Sequence, residues 1–207
     1  MRLRGMMAAL ALLLIGATAG AALSERFAPL ALEQMTPEQR RVADAIMSGP
    51  RKSLEGPFNA WLRSPDLADR LQKVGEYVRF QSSLPARLNE FAILIVAREW
   101  TAQYEWYAHL PLALKAGLKP SIAEDVKEGR RPRGMAGDEA AVYDFVTALL
   151  RQHQVSPDLY QATRSVLSEP QIVDLLGLLG YYTVVSMTLN VAEVPVPGGP
   201  PLQPLAR

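Results

Sequence analysis

Residues 89–118 read NEFAILIVAREWTAQYEWYAHLPLALKAGL, and the reading of this stretch decides the fold. Leu88, Phe91, Ala92, Ile95 and Val96 recur at helical spacing and give a wide apolar face, suited to burial on several sides. Behind that run come two tryptophans, two tyrosines and one of only two histidines in the chain. Glu105 and His109 stand four apart, so on a helix they share a face, and Arg98, Ala102, Glu105 and His109 are expected along one stripe. A turn near residues 99–101 would fold Glu90, one helix earlier, back against that face.

A carboxylate beside an imidazole fixes which ring nitrogen carries the proton and favours the imidazolium, which makes the pair an acid/base candidate. On spacing alone, Glu105 with His109 is equally an exposed i,i+4 pair that stabilises its helix by only about 0.2 to 0.5 kcal/mol. Trp100, Tyr104, Trp106 and Tyr107 argue for the pocket, because aromatic walls with a few convergent polar groups are what a small molecule requires. The expected catalytic residues are His109 as proton donor or oxyanion stabiliser, Glu105 as its orienting carboxylate and Glu90 as a second acid/base. Arg98, Tyr104, Trp106 and Phe58 are the expected substrate-binding residues. A metal held by His109 and the glutamates is disfavoured, since Glu105 stands where metalloprotease spacing needs a second histidine and there is no Glu-x-x-His pair.

Glu90, Tyr104-Glu105-Trp106, His109, Pro111 and Ala116-Gly117-Leu118 together resemble the carboxymuconolactone decarboxylase family, whose relatives include the alkyl hydroperoxidase D-like proteins. The redox relatives carry Cys-x-x-Cys-x-x-x-His with a glutamate upstream. Aligned on His109, those cysteine positions are Ala102 and Glu105 and the upstream glutamate is Glu90. The chain has no cysteine, so the resemblance is to the thiol-free branch, and a peroxide-reducing mechanism is not expected. The resemblance implies an all-α domain of about seven or eight helices, trimers or hexamers, and cofactor-independent chemistry on a small carboxylated lactone or related oxoacid.

The remaining sequence agrees with an all-helical domain. Arg2 and Arg4, the apolar run from Met6 to Ile15 and the alanines at 17, 19, 21 and 22 read as a cleavable secretory signal over residues 1–22, hence a periplasmic or secreted protein. Its removal takes two of 22 basic residues and none of the 21 acidic ones, for a net charge of −1, and nothing indicates nucleic acid. The helical domain is expected over residues 36–192, from the Thr36-Pro37-Glu38 cap onward. Residues 51–65 read as a loop carrying Phe58 and Trp61. A following helix shows an apolar stripe of Leu67, Leu71, Val74 and Val78, with Arg70, Lys73, Glu76 and Arg79 on its polar face. Residues 119–137 read as a polar loop, Asp138 as the cap of the next helix, and His153 as structural surface near its end.

The last helix, from Ile172 to Val191, is apolar almost all round. Asp174, Ser186, Asn190, Gly177 and Gly180 favour burial in a core or an oligomer over a membrane span, and Tyr181 and Tyr182 supply hydroxyls for packing or the pocket. The proline-rich tail, residues 193–207, is expected to be extended and mobile unless a neighbouring subunit holds it. No glycine-rich phosphate loop or nucleophile elbow is present, and no cofactor is expected. A binding or structural oligomer without turnover is the alternative function.

Overall fold

The computed structural model describes residues 26–198 and 201–205; the expected leader lies outside the described residues. The described residues contain nine α-helices, one short 3-10 turn and no strand. Helix α1 (Pro37–Ser48) starts as the sequence indicates. The Thr36 hydroxyl accepts from the Gln39 amide, and the Gln39 side chain accepts from the Thr36 amide. A one-turn α2 (Phe58–Trp61) lies within the stretch expected to be loop.

Helix α3 (Pro65–Phe80) departs from its expected stripe. It buries Ala68, Gln72, Gly75 and Val78, and leaves Leu67 and Val74 exposed. The helix approaches its neighbours through small residues, which places that face inward ahead of the larger apolar one.

Helix α4 (Ala86–Glu99) is the centre of the molecule. It packs against α5 (Gln103–Lys115), α6 (Pro120–Lys127), α7 (Gly137–Gln152) and α9 (Glu169–Ala192), and Phe91 through Ala97 are buried without interruption. Burial of each large apolar side chain there stabilises by about 1.5–3 kcal/mol. Its first turn is tied to the start of α7, where Arg87 reaches Asp138 at 2.7 Å and also pairs with the buried Glu139. Ala136, not Asp138, is the N-cap residue of α7, and its amide donates to the Glu139 carboxylate at 2.7 Å.

Between α4 and α5 the chain turns at Thr101, whose φ of 49° lies in the left-handed region. That conformation is unfavourable for a β-branched residue, and the Ala102 amide closes the turn on the Ala97 carbonyl at 2.8 Å. The turn places Arg98 and Glu105 on separate helices, so the single stripe expected for Arg98, Ala102, Glu105 and His109 does not form. Helix α5 then continues through Pro111.

Helix α6 occupies part of the stretch read as polar loop. Pro120 begins it, and Ile122, Ala123 and Val126 are its buried face, a short apolar spacing that the surrounding charges obscured. After α8 (Pro157–Arg164), the Ser168 hydroxyl accepts from the Gln171 amide to cap α9. Helix α9 is long and apolar enough to cross a membrane by length and composition, yet it packs on α3, α4 and α5 and buries eleven residues from Ile172 to Ala192. The tail is held by its own chain. The Gln103 side chain donates to the Leu202 carbonyl at 2.9 Å and accepts from the Leu202 amide at 2.7 Å, with Leu202 buried.

Candidate active site

The α4–α5 hairpin brings together two side chains 19 residues apart: His109 Nδ1 lies 2.7 Å from Glu90 Oε2. A carboxylate only accepts, so Nδ1 carries the proton of this bond, and Nε2 is left on the opposite edge of the ring. Nε2 lies 3.4 Å from Glu105 Oε2, one helical turn back. At that separation there is no well-formed hydrogen bond, and Glu105 Oε2 is buried without a hydrogen-bond partner. The roles expected of the two glutamates are therefore exchanged: Glu90 orients the ring, and Glu105 is the less engaged carboxyl. The spacing of Glu105 and His109 promised a contact, but Glu90, reaching across from α4, has the better geometry.

Burial pushes the Glu105 carboxyl above the usual carboxylate range, and the opposing charges of His109, Arg79 and Arg51 do not reverse it. Glu105 is only 4% exposed and His109 2%. The unpartnered oxygen and the upward shift both disfavour the charged form relative to a solvated carboxylate.

Helix α9 supplies the facing wall. The Tyr182 ring stands edge-on to the His109 ring with centroids 5.1 Å apart, and Tyr181 meets Tyr182 the same way at 5.2 Å. Both hydroxyl groups are buried without a hydrogen-bond partner. Burial raises Tyr181 to about 12 and Tyr182 well above the ordinary phenol value, so both present neutral O–H donors. Gly75 makes room for this wall, since a Cβ there would lie 2.1 Å from the Tyr181 hydroxyl oxygen.

The Glu105, His109, Tyr181 and Tyr182 side chains line a cavity of about 220 Å³, which Arg51, Arg79 and Tyr104 complete. It is smaller than the ~300–1,000 Å³ typical of drug-sized ligand sites, so its contents must be small.

Of the expected substrate-binding residues, Tyr104 lines this cavity and three do not. Arg98 is buried elsewhere, its Nε donating to the Lys127 carbonyl at 2.6 Å, because the Thr101 turn removes it from the α5 face. Trp106 lies on the other side of α5, in an apolar cavity of about 440 Å³ bounded by α6 and the tail. Phe58 is fully buried and edge-on to Trp61 at 5.5 Å, with the Arg51 guanidinium 4.8 Å from its ring centre, so it supports a wall rather than forming one. Arg51 and Arg79 were missed: one belongs to a turn-rich loop and the other to a face of α3 that reads as solvated.

The two carboxylates occupy opposite edges of the imidazole and do not converge on a common point. Among the described residues, no group of three or more His, Cys, Asp or Glu side chains is arranged to hold a metal ion.

No family model and no curated protein matches the sequence. The structure is similar to the crystal structure of a protein of unknown function from Agrobacterium tumefaciens that is named as a candidate AhpD antioxidant defence protein. The TM-score is 0.57 at 16% identity, over 70% of this chain and all of that one. The fold is AhpD-like. Within it, the positions that the sequence resemblance assigns to cysteines are Ala102, fully buried at the start of α5, and Glu105, facing the cavity. A disulfide-based cycle has no thiol to run on in this chain.

Proposed function

We propose that this protein is a cofactor-independent lyase or isomerase acting on a small carboxylated lactone or related oxoacid. The observation that carries the reading is the arrangement around His109: a ring fixed by Glu90 on one edge and facing a buried, protonation-prone Glu105 on the other, beside a small cavity. Structural histidines are seldom held this way beside several unsatisfied polar groups, whereas acid/base sites depend on pairs whose environments push their proton affinities apart.

In the lyase form, the bond to the departing carboxyl carbon breaks and its electron pair moves through the unsaturated lactone onto the carbonyl oxygen. Carbon dioxide leaves and an enolate remains. The neutral hydroxyls of Tyr181 or Tyr182 can stabilise that oxygen in a cavity with little water. Glu105 then delivers its proton to carbon, and His109, kept in register by Glu90, takes up a proton from solvent at Nε2 and passes it to Glu105. An isomerase would use the same groups to remove a proton from one carbon and return it to another.

The test is carbon dioxide release or loss of lactone absorbance with a panel of carboxylated lactones. His109→Ala is expected to lower turnover by about a hundredfold or more while the protein remains folded. Parent-level turnover in that variant would remove His109 from the mechanism. No turnover by the parent across the panel would favour the second reading, a non-catalytic oligomer.

That second reading has its own observation. Helix α3 leaves Leu67, Val74 and Phe80 exposed, and α9 leaves Val173, Leu176 and Val191 exposed, the kind of apolar surface that usually marks an interface. We propose that the protein is a homo-oligomer, a trimer or hexamer, through these helices under either reading. Light scattering that shows a monomer at micromolar concentration would count against it.

A further inference from the structure

Several arginines elsewhere in the molecule find carboxylates: Arg87 holds Asp138 and Glu139, Arg131 holds Asp144, and Arg151 holds Glu99. Arg51 and Arg79 line the His109 cavity and are half-buried, and neither has an ion-pair partner among the described residues. Arg51 Nη2 is buried with no well-formed hydrogen bond; the guanidinium makes only a loose approach to the Tyr181 hydroxyl, itself a donor with no acceptor. Both guanidinium groups instead rest on aromatic rings, Arg51 on Phe58 and Arg79 on Phe80 at 5.2 Å, which positions them without satisfying their N–H groups.

A buried guanidinium N–H without an acceptor, beside a second arginine that has no ion pair, points to an acceptor that arrives from outside. Glu105 is not that acceptor. It makes no ion pair with either arginine, and its burial leaves it protonation-prone despite their fields. Glu55, the other acidic side chain lining the cavity, is solvent-exposed, where water and salt screen it.

We propose that Arg51 and Arg79, with the hydroxyl of Tyr181, form a subsite that binds one carboxylate group of a small ligand in the His109 cavity. The chemistry fits a carboxylate better than a neutral carbonyl. Guanidinium groups donate paired hydrogen bonds to its two oxygens, and each such bond is charge-assisted. A neutral tyrosine hydroxyl adds a third donor. Tyr182 and Glu105 are left for the remainder of the ligand, beside the His109 ring. The inference rests on the reading of this cavity as a small-molecule site and specifies which side chains select for anionic ligands.

The experiment is calorimetric titration of the full protein with pyruvate, benzoate and furoate, set against the uncharged benzamide and furamide. At least one acid is expected to bind saturably, and its amide at least about tenfold more weakly, the difference made by losing a charged hydrogen-bonding partner. Arg51→Gln and Arg79→Gln should each weaken the acid by a similar factor, and Arg51→Lys should recover part of the loss. Should Arg51→Gln fail to fold, as judged by circular dichroism, Arg79→Gln carries the comparison. Arg131→Gln, whose guanidinium pairs with Asp144 outside this cavity, should bind the acid as the parent does.

The proposal is overturned if no acid binds saturably, if acids and amides bind alike, or if the folded arginine variants bind as tightly as the parent. Failure of the catalytic reading looks different: the acids still bind through the arginines, and no lactone turns over.

Discussion

Two buried carboxylates show how differently this chain treats the same functional group. Asp174, in the early part of α9, accepts from the Ser83 amide at 2.8 Å, the Ser83 hydroxyl at 2.7 Å, the Tyr77 hydroxyl at 3.0 Å and the Ser82 hydroxyl at 3.4 Å. Burial pushes its proton affinity up, but the bonds from Ser83, Tyr77 and Ser82 outweigh this and hold Asp174 below the usual carboxylate range. Glu105, on α5, has an oxygen with no hydrogen-bond partner and is shifted the other way. A carboxylate that serves the fold is surrounded by donors that join separate segments, here the α3–α4 connection and α9. One left unsatisfied beside a histidine, two tyrosine hydroxyls and two arginines is costly to local stability, as the proposed acid role requires.

The largest expected effect exchanges charge for an amide at both positions. Glu105→Gln should lower turnover of an accepted lactone by about a hundredfold or more, because an amide cannot give up the proton, whereas Asp174→Asn should leave turnover per folded molecule near the parent value. Steady-state rates corrected for folded fraction make the comparison. Equal losses at the two positions would end the distinction drawn between them.

Stability should respond in the opposite order. Asp174→Ala strands the Ser83 and Tyr77 donors and is expected to cost about 2–3 kcal/mol in urea denaturation. The pH dependence has opposite signs at the two sites. Asp174 has a lowered folded-state pKa, so its contribution is present above the ordinary carboxylate value and is lost as pH falls through the lowered one. Glu105 has a raised folded-state pKa, so its contribution is present below the ordinary value and is lost as pH rises through the raised one. Asp174→Asn should therefore narrow the stability gap between neutral and acid pH, and Glu105→Gln should remove a decline toward alkaline pH. Parallel pH profiles of the denaturation midpoint for the two variants would contradict this.

A smaller effect sharpens the comparison from the wall opposite Glu105. Gly75→Ala places a methyl group within 2.1 Å of the Tyr181 hydroxyl, so the ring must shift, at a cost of about 1–3 kcal/mol. Because Tyr181 bounds the Glu105 cavity and does not contact Asp174, the change should reduce turnover and leave the acid-side stability profile alone. A variant with unchanged kinetics would show that Tyr181 has no part in the site.

The sequence was most informative where local chemistry decides. Thr36 caps its helix because its hydroxyl accepts from the amide three residues on, a contact that needs no knowledge of the rest of the fold. The meeting of Glu90, Glu105 and His109 was legible for a related reason: an apolar helix, a break and a second helix form a hairpin whose length nearly dictates the contact. Arg51 and Arg79 were not legible, because their role depends on a loop and a helix face converging from distant parts of the chain. The α3 stripe misled for a similar reason, since the space that Tyr181 needs at Gly75 fixes which face turns inward. The division of labour between Glu90 and Glu105 turns on a difference between 2.7 Å and 3.4 Å, which residue spacing cannot supply.

The central proposal, that Glu105 serves as an acid facing His109, can be tested without knowledge of the substrate. Infrared difference spectra between the parent and Glu105→Gln near neutral pH report protonated carboxyl groups directly, through a carbonyl stretch that shifts on hydrogen–deuterium exchange. The account predicts that this band is present in the parent and lost in Glu105→Gln, with Asp174→Asn retaining it. Spectra in which the substitution removes only an ionised carboxylate band would contradict the account.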